Sequence, residues 1–414
     1  MLKKLKYLFK KKIIYNYTKN ISFLFKKKSY VIYYGIDPTY YTLHLGHLVG
    51  LSILLNLYNK YNKIIIVIGG GTALIKLSKK SKKKKIINKN IKYLKKQILF
   101  LFRKKKISIL NNYSWLKNKK ILNFFNNILS IFSINSFLKI KLFKKKIKKK
   151  KNIPFNELLY LFIQGFDYFY LYKKYNCNLQ IGGSDQWYNI LTGIKLIKKK
   201  FNKKTYGFTH PLLLNLNGIK FSKSNNLNNI WLNKNKTSIY NFYQFLINLP
   251  DNININYLKL LTNFNIKNYN KIIYLNYKFP KKKIINKILI KYLISWVHGK
   301  KKYKQIKKVM YILFKKKKLN YIKNNILLIK KFLNKIYFKK KNKKKITIFD
   351  LIKKKKIFFS NSDYKKFIYN KGIFLINGIY IKNNTITNFK NLINNKYLII
   401  KKGKKDFYIL IIKK

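Results

Sequence analysis

The sequence predicts an α/β protein with a parallel sheet, followed by a helical region and a small C-terminal α/β module. Three observations predict it. A strand, a helix and a second strand follow one another near the N-terminus. A long helix then leads into another strand and helix, and the end of the chain has strand-like runs around an Asn-Gly pair. We expect residues 1–224 to form the sheet domain, 225–338 a helical domain, 339–346 a basic linker and 347–414 the C-terminal module.

The first strand–helix–strand unit lies between residues 31 and 68. Val31–Ile36 is an apolar run typical of a buried strand, and residues 43–61 carry apolar side chains at helical spacing. Lys63–Ile68 is a second apolar run, which leads into a turn at Gly69-Gly70-Gly71. Elements in this order build a Rossmann-like parallel sheet, which binds nucleotides at the carboxyl ends of its strands.

A second half of the sheet follows further along the chain. Residues 80–150 are Lys-rich, helical in pattern and poor in turn signals, so we expect a helical insertion there. Phe155–Tyr175 predicts a long helix. After it we expect a short strand at 179–181, a turn at Gly182-Gly183 and a helix at 186–199.

The rest of the chain shows two patterns. Residues 237–340 have helical periodicity interrupted by Asn and Lys, and residues 339–345 form a basic linker. Beyond the linker we expect a helix near 362–369, a hairpin over 372–380 with an Asn-Gly turn, and strands at 397–401 and 406–412.

Positive charge is the main feature of the composition. The 414 residues include 96 Lys plus Arg and 8 Asp plus Glu, a formal net charge of +88. Binding to nucleic acid is one explanation, because lysines neutralise phosphates. We favour codon bias, because Arg103 is the single arginine and the abundant residues have A/T-rich codons. The charge alone therefore assigns no function.

Cysteine content and hydropathy limit the class of protein further. Cys177 is the only cysteine, which excludes an internal disulfide and a cysteine-based zinc cluster and fits a reducing compartment. No run of 18 apolar residues occurs, so we expect no membrane-spanning helix. Residues 1–28 predict a basic N-terminal helix, with a transit peptide as the alternative. The expected location is the cytoplasm.

Acidic residues, histidines and glycines are scarce, and 12 of the 16 glycines lie before residue 219. We expect the chemistry in the first half of the chain. The acidic residues are Asp37, Glu157, Asp167, Asp185, Asp251, Asp350, Asp363 and Asp406, and the histidines are His44, His47, His210 and His298.

The segment His44-Leu45-Gly46-His47 follows the first strand and opens the first helix. A Rossmann-like sheet binds phosphate at this point, at the positive end of a helix dipole. Two histidines three residues apart project from one helix turn and can stabilise a phosphate as its charge develops. Gly46 leaves room for an adenine ring. The alternatives are two surface histidines or half of a metal site.

The segment Lys220-Phe221-Ser222-Lys223-Ser224 follows the last predicted strand of the sheet. Two lysines beside small polar residues suit a mobile clamp on pyrophosphate. The pattern is weak by itself in a lysine-rich chain. Its place after the histidine segment, across one sheet, makes it informative.

These two motifs are the signatures of class I aminoacyl-tRNA synthetases, and three further segments resemble the bacterial-type tyrosyl-tRNA synthetase family. They are YYGIDPT at 33–39, YLFIQGFD at 160–167 and QIGGSDQW at 180–187. The resemblance covers about residues 30–250. It implies a Rossmann-like catalytic domain and a helical anticodon-binding domain, and the C-terminal module resembles that family's S4-like RNA-binding domain.

The resemblance implies that Tyr33 and Asp167 hydrogen-bond the hydroxyl of a tyrosine substrate. A buried polar pair of this kind rejects phenylalanine, which leaves it unsatisfied. Tyr160 and Gln164 are expected to face the substrate's α-amino group, and the other residues expected to line the tyrosine pocket are Gln180 and Gln186.

The resemblance also implies the residues that handle ATP. The expected ATP-binding residues are Gly35, Asp37, His44, Gly46, His47, Gly183, Asp185 and Lys223. The expected transition-state residues are Thr39, His44, His47, Lys220 and Lys223, and Pro38 and Ser224 complete the motifs. The substrate carboxylate attacks the α-phosphorus, so catalysis requires positioning and electrostatics rather than a nucleophilic side chain.

The implied partners are L-tyrosine, ATP and tRNA(Tyr), and the family implies a homodimer. Mg²⁺ is expected to accompany ATP, with no protein metal ligands and no permanent cofactor. Two positions depart from the family's pattern. The family's aspartate that binds the amino group falls on Leu77, which weakens the expected ammonium site. Tyr34 stands where the family often has a small residue near the ribose.

Three other interpretations compete with this one. A tryptophanyl-tRNA synthetase has a similar fold, but Tyr33 with Asp167 and the S4-like tail argue against it. A non-enzymatic RNA-binding protein derived from a synthetase is consistent with Leu77. A general lysine-rich nucleic-acid binder does not explain the placement of the rare residues.

Overall fold

The computed structural model describes most of the chain, with gaps. The described residues are 2–26, 29–76, 82–103, 105–133, 141–150, 152–215, 218, 221, 229–314, 319–339, 360, 362, 369, 374–377, 379–380, 392–403 and 405–413.

A five-stranded parallel sheet organises the first half of the chain, as predicted. Its strands are β1 (Val31–Ile36), β2 (Lys63–Ile68), β3 (Ser108–Asn111), β4 (Leu179–Gly183) and β5 (Tyr206–His210). They lie in the order β3-β2-β1-β4-β5. The chain therefore adds β2 and β3 on one side of β1 and then returns to add β4 and β5 on the other. A crevice opens at the carboxyl ends of β1 and β4, where this direction reverses.

Helices connect the strands and precede the sheet. The α-helices up to β5 are Leu2–Lys10, His47–Leu57, Gly70–Lys76, Lys82–Phe102, Tyr113–Leu116, Ile121–Asn127, Lys141–Lys148, Phe155–Tyr175 and Trp187–Phe201. Short 3-10 helices are Ile21–Lys26, Leu129–Ile131 and Ser184–Gln186. The predicted helix Phe155–Tyr175 is confirmed at both ends, and the basic N-terminal helix is confirmed as Leu2–Lys10.

Two glycines bring the long helix Phe155–Tyr175 close to the helix Trp187–Phe201. A Cβ added at Gly165 would lie 3.1 Å from the backbone nitrogen of Gly193, and one at Gly193 would lie 2.8 Å from Cβ of Tyr168. The two backbones can approach this closely only because neither position carries a side chain. This packing holds the long helix, which carries several predicted site residues, in a fixed position.

The helix predicted over 43–61 is shorter than expected and begins at His47. The backbone of Leu43 and Leu45 pairs instead with the segment 230–232, since Leu45 N donates to Ile230 O (2.9 Å) and Leu232 N donates to Leu43 O (2.9 Å). Apolar spacing predicted these residues as helix, but their tertiary partner lies almost 190 residues away. His44 therefore precedes the helix rather than lying on its first turn.

The predicted helical insertion at 80–150 is wrong in one respect, because it contains β3, the edge strand of the main sheet. Ile65 to Ile68 of β2 pair in parallel with Ser108 to Asn111. The strand has four residues, all half-buried, between lysine- and asparagine-rich segments. A run this short carries too little alternation to show in the sequence pattern.

Two predicted glycine turns are also wrong. Gly182 and Gly183 are the last residues of β4, which makes that strand longer than predicted. Gly70 and Gly71 begin a helix directly after β2. In both places the glycines admit close packing: a Cβ at Gly70 would lie 3.0 Å from Ile91 Cδ1, and one at Gly182 would lie 2.9 Å from Gln186 Cβ.

The chain divides into two compact units. The first comprises Met1–Asn233 and Leu249–Leu289, and the second comprises Lys234–Asn248 and Ile290–Lys414. The α-helices after β5 are Ile239–Ile247, Asp251–Leu261, Ile266–Lys278, Ile284–His298, Lys300–Phe314, Leu319–Asn324 and Ile326–Lys330, with a 3-10 helix at Pro280–Lys282. The predicted domain boundaries at 224/225 and 338/339 stay a prediction.

The second unit contains a second sheet, of order β6-β10-β9-β7-β8. Its strands are β6 (Asn334–Lys339), β7 (Phe374–Ile376), β8 (Ile379–Tyr380), β9 (Tyr397–Lys402) and β10 (Asp406–Lys413). The last four confirm the predicted hairpin and the two C-terminal strands, and Asn377 in the hairpin turn has φ 49°.

Strand β6 contradicts the helical prediction for 237–340. It pairs in parallel with β10, more than 60 residues further along the chain, so its partner could not be inferred from local pattern. Residues 340–346 of the predicted linker, and the predicted helix near 362–369 apart from two single residues, lie outside the described residues. No helix in the described part of the chain is long and apolar enough to cross a membrane.

Candidate active site

A cleft of about 570 Å³ opens at the carboxyl ends of β1 and β4, in the crevice where the strand order reverses. Its walls come from the ends of both strands, the loop and helix after β1, the helix Phe155–Tyr175 and the segment that follows β5. The predicted site residues that line it are Tyr33, Gly35, Asp37, Thr39, His44, Gly46, His47, Tyr160, Gln164, Asp167, Gln180, Gly183, Asp185 and Gln186.

The remaining predicted site residues lie elsewhere. Pro38 does not line the cleft, but its carbonyl oxygen accepts a hydrogen bond from Nδ2 of Asn90 (2.9 Å), which fixes the loop after β1. Lys220, Lys223 and Ser224 lie outside the described residues. Phe221, in the same motif, is buried and lines the cleft.

A buried carboxylate closes one end of the cleft. Asp167, on the helix Phe155–Tyr175, is 2% exposed. Its Oδ2 accepts a hydrogen bond from Nδ2 of Asn112 (2.9 Å), and its Oδ1 accepts one from Nε1 of Trp115 (2.9 Å). Burial raises the pKa of Asp167 from its ordinary 3.8 to about 7, while the two hydrogen bonds oppose the shift and Asp37 adds to it.

Tyr33 on β1 lines the same end of the cleft. It is 1% exposed, and its ring packs against that of Tyr168 with centroids 6.1 Å apart. Burial raises the pKa of Tyr33 well above its ordinary value, and the nearby Asp167 carboxylate adds to this. The phenol therefore keeps its proton and can donate, while the Asp167 carboxylate can accept. This end of the cleft is suited to a single buried hydroxyl group.

The middle of the cleft holds a hydrogen bond between a tyrosine and an aspartate. The Tyr160 hydroxyl donates to the Asp37 carboxylate, at 3.2 Å from Oδ2 and 3.3 Å from Oδ1. Gly69, at the end of β2, makes room for the carboxylate, since a Cβ there would lie 3.2 Å from Asp37 Oδ1. Burial raises the pKa of Tyr160, and Asp37 reinforces the shift.

An amide network lies beside this contact. Nε2 of Gln164 donates to Oε1 of Gln186 (2.9 Å), and Nδ2 of Asn189 donates to the same oxygen (2.7 Å) and to Oε1 of Gln164. The network joins the long helix to the helix Trp187–Phe201. It fixes both glutamines with their polar groups at the cleft wall.

The two predicted histidines lie together at the start of the helix His47–Leu57. Their ring centroids are 3.8 Å apart, and the backbone nitrogen of His44 donates to Nδ1 of His47 (3.2 Å). Gly46 packs tightly beneath them, because a Cβ there would lie 3.1 Å from the His44 ring and 3.3 Å from Cβ of Phe221. Both histidines line the cleft beside the positive end of the helix dipole, which favours an anion there.

The far wall of the cleft carries Asp185, Tyr34 and His210. Asp185 lies in the short helix after β4, and Gly183 makes room for it, since a Cβ there would lie 2.7 Å from Asp185 Oδ1. Tyr34 stacks on His210 with ring centroids 6.4 Å apart and an interplanar angle of 24°. Burial lowers the pKa of His210, opposed by its hydrogen bond to the Pro211 carbonyl and by Asp185.

Several cleft-lining polar atoms are buried without a protein partner in the described part of the chain. They are Thr39 Oγ1, Gln180 Oε1 and His210 Nε2. A buried polar atom left unsatisfied costs about 1–3 kcal/mol, so such atoms are typical of a binding site.

Sequence reasoning missed five residues that shape the site. They are Thr72, Asn112, Trp115, Asn189 and His210. His210 carried a signal, as one of 4 histidines in the chain and the end of a strand. Asn112 and Trp115 follow β3, so they could not be placed without that strand.

The chain is similar to known proteins in both its sequence and its fold. The sequence model of the family described as "tRNA synthetases class I (W and Y)" matches residues 26–315. The tyrosine--tRNA ligase of Wigglesworthia glossinidia brevipalpis is 38% identical over 407 residues, which cover 95% of this chain and 94% of that one. The ligase of the same name from Aster yellows witches'-broom phytoplasma (strain AYWB) is 32% identical over 92% of each chain.

A solved structure shares the fold at lower identity. The C-terminally truncated mitochondrial tyrosyl-tRNA synthetase of Aspergillus nidulans aligns with a TM-score of 0.65 and 23% identity, covering 75% of this chain and 94% of that one. The family model covers well over half of the chain, and the bacterial relatives cover nearly all of it. By its sequence, its parallel sheet and the residues gathered in its cleft, the chain belongs to the tyrosine--tRNA ligase family of class I tRNA synthetases.

Proposed function

We propose that this chain activates L-tyrosine with ATP and transfers the tyrosyl group to the 3′ end of tRNA(Tyr). The observation that carries the proposal is the closed end of the cleft, where Asp167, held by Asn112 and Trp115, lies with Tyr33. A tyrosine phenol satisfies both groups, as donor to Asp167 and acceptor from Tyr33. Phenylalanine leaves two buried polar groups without a partner and is rejected.

The reaction has two steps, and the protein forms no covalent bond in either. A carboxylate oxygen of tyrosine attacks the α-phosphorus of ATP, the bond from that phosphorus to the bridging oxygen breaks, and pyrophosphate leaves. A hydroxyl of the terminal tRNA adenosine then attacks the carbonyl carbon of tyrosyl-adenylate. AMP leaves, and the hydroxyl proton is released. The side chains position the reactants and stabilise charge.

The contacts around Tyr160 support binding of the substrate's α-amino group at this part of the cleft. Tyr160 and Gln164 lie one helical turn apart on the cleft wall, and the Asp37 carboxylate accepts a hydrogen bond from Tyr160. Asp37, which we also assign to the ATP side, thus brings negative charge beside the expected ammonium. Gln180 and Gln186 complete the tyrosine pocket.

We assign the opposite part of the cleft to binding of the nucleotide. Asp185 and Gly183 are assigned to the ribose, and Gly35 and Gly46 give the backbone clearance that the nucleotide needs. We assign the binding of the phosphates to Thr39, His44, His47, Lys220 and Lys223. The positive end of the helix dipole and the imidazole groups favour the charge that develops on an α-phosphate.

Mg²⁺ enters with ATP as part of the substrate, bound by phosphate oxygens. The ion adds positive charge to the phosphates in the transition state.

The rest of the chain is assigned to RNA and to assembly. We assign the helical region at 225–338 to anticodon binding and the module at 347–414 to S4-like RNA binding, since its hairpin and two last strands form one sheet. We further propose a homodimer, and a location in the cytoplasm, which the single free Cys177 fits.

The test is amino-acid-dependent exchange of pyrophosphate into ATP by the purified chain. We expect exchange with tyrosine and none with phenylalanine or tryptophan. Exchange with tryptophan and not with tyrosine would show that tryptophan is the substrate and that the proposed specificity is incorrect. A protein that binds tRNA but forms no tyrosyl-adenylate would be an RNA-binding protein and not a ligase.

A further inference from the structure

Residues 37–46 form the loop that connects β1 to the helix His47–Leu57. The loop carries Thr39 and His44, which line the cleft and which we assign to the phosphates. A connecting segment of this kind loses conformational entropy when it is held in one shape, so contacts with other elements must hold it. The helix Lys82–Phe102 supplies such contacts at three points.

The first contact comes from Asn90. This residue lies on the apolar face of the helix, between the buried Ile87 and Leu94, and is 7% exposed. A buried polar side chain is costly unless it is hydrogen-bonded. Nδ2 of Asn90 donates to the carbonyl oxygen of Pro38, the residue before Thr39, at 2.9 Å. Because that carbonyl can only accept, the helix must present a donor at this position.

The second contact comes from Gln97, which lies about two turns further along the helix. Oε1 of Gln97 accepts hydrogen bonds from the backbone nitrogen of Leu43 (2.9 Å) and from Oγ1 of Thr42 (3.3 Å). A backbone N–H can only donate, so the helix must present an acceptor here. The carbonyl oxygen of Leu43 accepts from the backbone nitrogen of Leu232 (2.9 Å). The residue before His44 is therefore held on both sides.

The third contact lies between these two. The ring of Tyr93 packs against that of Tyr41, with centroids 6.0 Å apart and an interplanar angle of 64°. Residues 90, 93 and 97 share one side of the helix, and they meet the loop in chain order. In the described part of the chain, none of the three helix residues lines the cleft. One side of the loop therefore rests on the helix, while Thr39 and His44 are presented to the cleft.

We propose that the helix Lys82–Phe102 holds the loop 37–46 in the geometry that adenylate formation requires, with Asn90 and Gln97 as positioning residues for Thr39 and His44. The two amides act in opposite senses, since Asn90 donates to the loop and Gln97 accepts from it. This inference rests on the proposed function, because it assigns the loop to the activation step.

The first test uses two substitutions that add the same negative charge to the same helix. Gln97→Glu keeps an oxygen acceptor for Leu43, whereas Asn90→Asp replaces the donor to Pro38 by an acceptor. We expect Gln97→Glu to keep the kcat of tyrosine-dependent pyrophosphate exchange within about threefold of the wild type, because its hydrogen bonds remain. Asn90→Asp and Gln97→Leu should lower kcat roughly 10- to 100-fold and leave the KM for tyrosine within about twofold, because a displaced loop impairs the transition state.

Equal effects of Gln97→Glu and Asn90→Asp on kcat, whether both are large or both are small, would overturn the proposal. Their added charge is the same, so only the direction of the hydrogen bond distinguishes them.

A second measurement follows the loop without the reaction. Hydrogen exchange of peptides that span residues 37–46, measured by mass spectrometry, should become roughly tenfold faster at Leu43 in Gln97→Leu and stay unchanged in Gln97→Glu. Urea unfolding shows whether each variant is folded. Unchanged exchange in a folded Gln97→Leu protein would contradict the role of Gln97.

The contact of Tyr93 can be tested without a change in the core, because this side chain is 46% exposed. We expect Tyr93→Ala to lower kcat roughly threefold to tenfold and Tyr93→Phe, which keeps the ring contact, to match the wild type. Leu99→Ala is the matched control, since Leu99 is 42% exposed on another side of the same helix. Equal kcat values for Tyr93→Ala and Leu99→Ala would refute the support of the loop by this side of the helix. This comparison decides the result should the Asn90 and Gln97 variants fail to fold.

The two proposals fail in different ways. A wild-type protein that exchanges pyrophosphate with no amino acid would remove the ligase proposal. Equilibrium dialysis of ATP then tests the helix: binding roughly tenfold weaker in Asn90→Asp than in Gln97→Glu supports its role, and equal binding overturns it. A wild-type protein active with tyrosine, together with equal kcat values for these two variants, would remove the role of the helix alone.

Discussion

Replacement of Asp167 by asparagine should change how the stability of the protein depends on pH. In the folded chain, burial holds the pKa of this carboxyl at about 7, against 3.8 ordinarily. Between these values the folded state binds a proton that the unfolded state has released. The folded state is therefore favoured at low pH, and this contribution is lost as the pH rises through 7.

The size of the stability change follows from the pH range over which the folded state holds the extra proton. At pH 5.5 the folded state holds nearly one proton more than the unfolded state, and at pH 7 it holds about half a proton more. A full proton of difference lowers the free energy of unfolding by about 1.36 kcal/mol per pH unit, so over the whole range from pH 5.5 to pH 8 the wild type loses about 2 kcal/mol through Asp167. Asp167→Asn has no proton to release. It leaves one of the two donors, from Asn112 or Trp115, without an acceptor, which costs about 1–3 kcal/mol at every pH.

The assay is urea unfolding of both proteins without substrates at pH 5.5, 7 and 8 and constant ionic strength. We expect the stability of Asp167→Asn relative to the wild type to rise by about 2 kcal/mol from pH 5.5 to pH 8. The exposed Asp251, replaced by asparagine, controls for the loss of one negative charge. A difference between Asp167→Asn and the wild type that stays constant over this range would refute the assigned pKa of Asp167.

Three further outcomes test the proposed roles. Trp115→Phe removes a donor to Asp167 and should raise the KM for tyrosine roughly tenfold with little effect on the KM for ATP; equal effects on both would contradict a role at the phenol end. Lys223→Ala should slow adenylate formation by roughly 10²-fold while the Kd for tyrosine changes far less, measured by rapid quench and equilibrium dialysis; equal losses would contradict the clamp. Binding of tRNA(Tyr) should weaken roughly 10³-fold between 50 and 200 mM salt if about six phosphates are contacted, and a flat response would exclude phosphate-dominated binding.

The elements that could be predicted from the sequence are those with a strong local pattern. Apolar runs gave β1 and β2 at both ends, and apolar spacing gave the helix Phe155–Tyr175. The rare acids and glycines then located the cleft, because each is costly at a random buried position and useful at a binding site.

The elements that could not be predicted depend on partners far away in the chain. β3 has four half-buried residues, and β6 pairs with a strand at the C-terminus. Leu43 to Leu45 fit a helix by spacing but pair with residues 230–232. The hydrogen-bond donors to Asp167 were missed for the same reason, since Asn112 and Trp115 follow β3. Residues that position a functional group carry no motif of their own when they come from another part of the chain.

The acidic residues explain how so basic a chain can hold a selective site. Any lysine-rich surface attracts the phosphates of ATP, but it does so without regard to the sugar or to the amino acid. Three of the 8 acidic residues, Asp37, Asp167 and Asp185, line one cleft. Carboxylates repel phosphates and accept hydrogen bonds, so they can bind only the parts of the substrates that donate: an ammonium, a phenol and sugar hydroxyls. Affinity for polyphosphate is thus available over much of the surface, whereas discrimination between substrates depends on these three carboxyl groups and on the side chains that orient them.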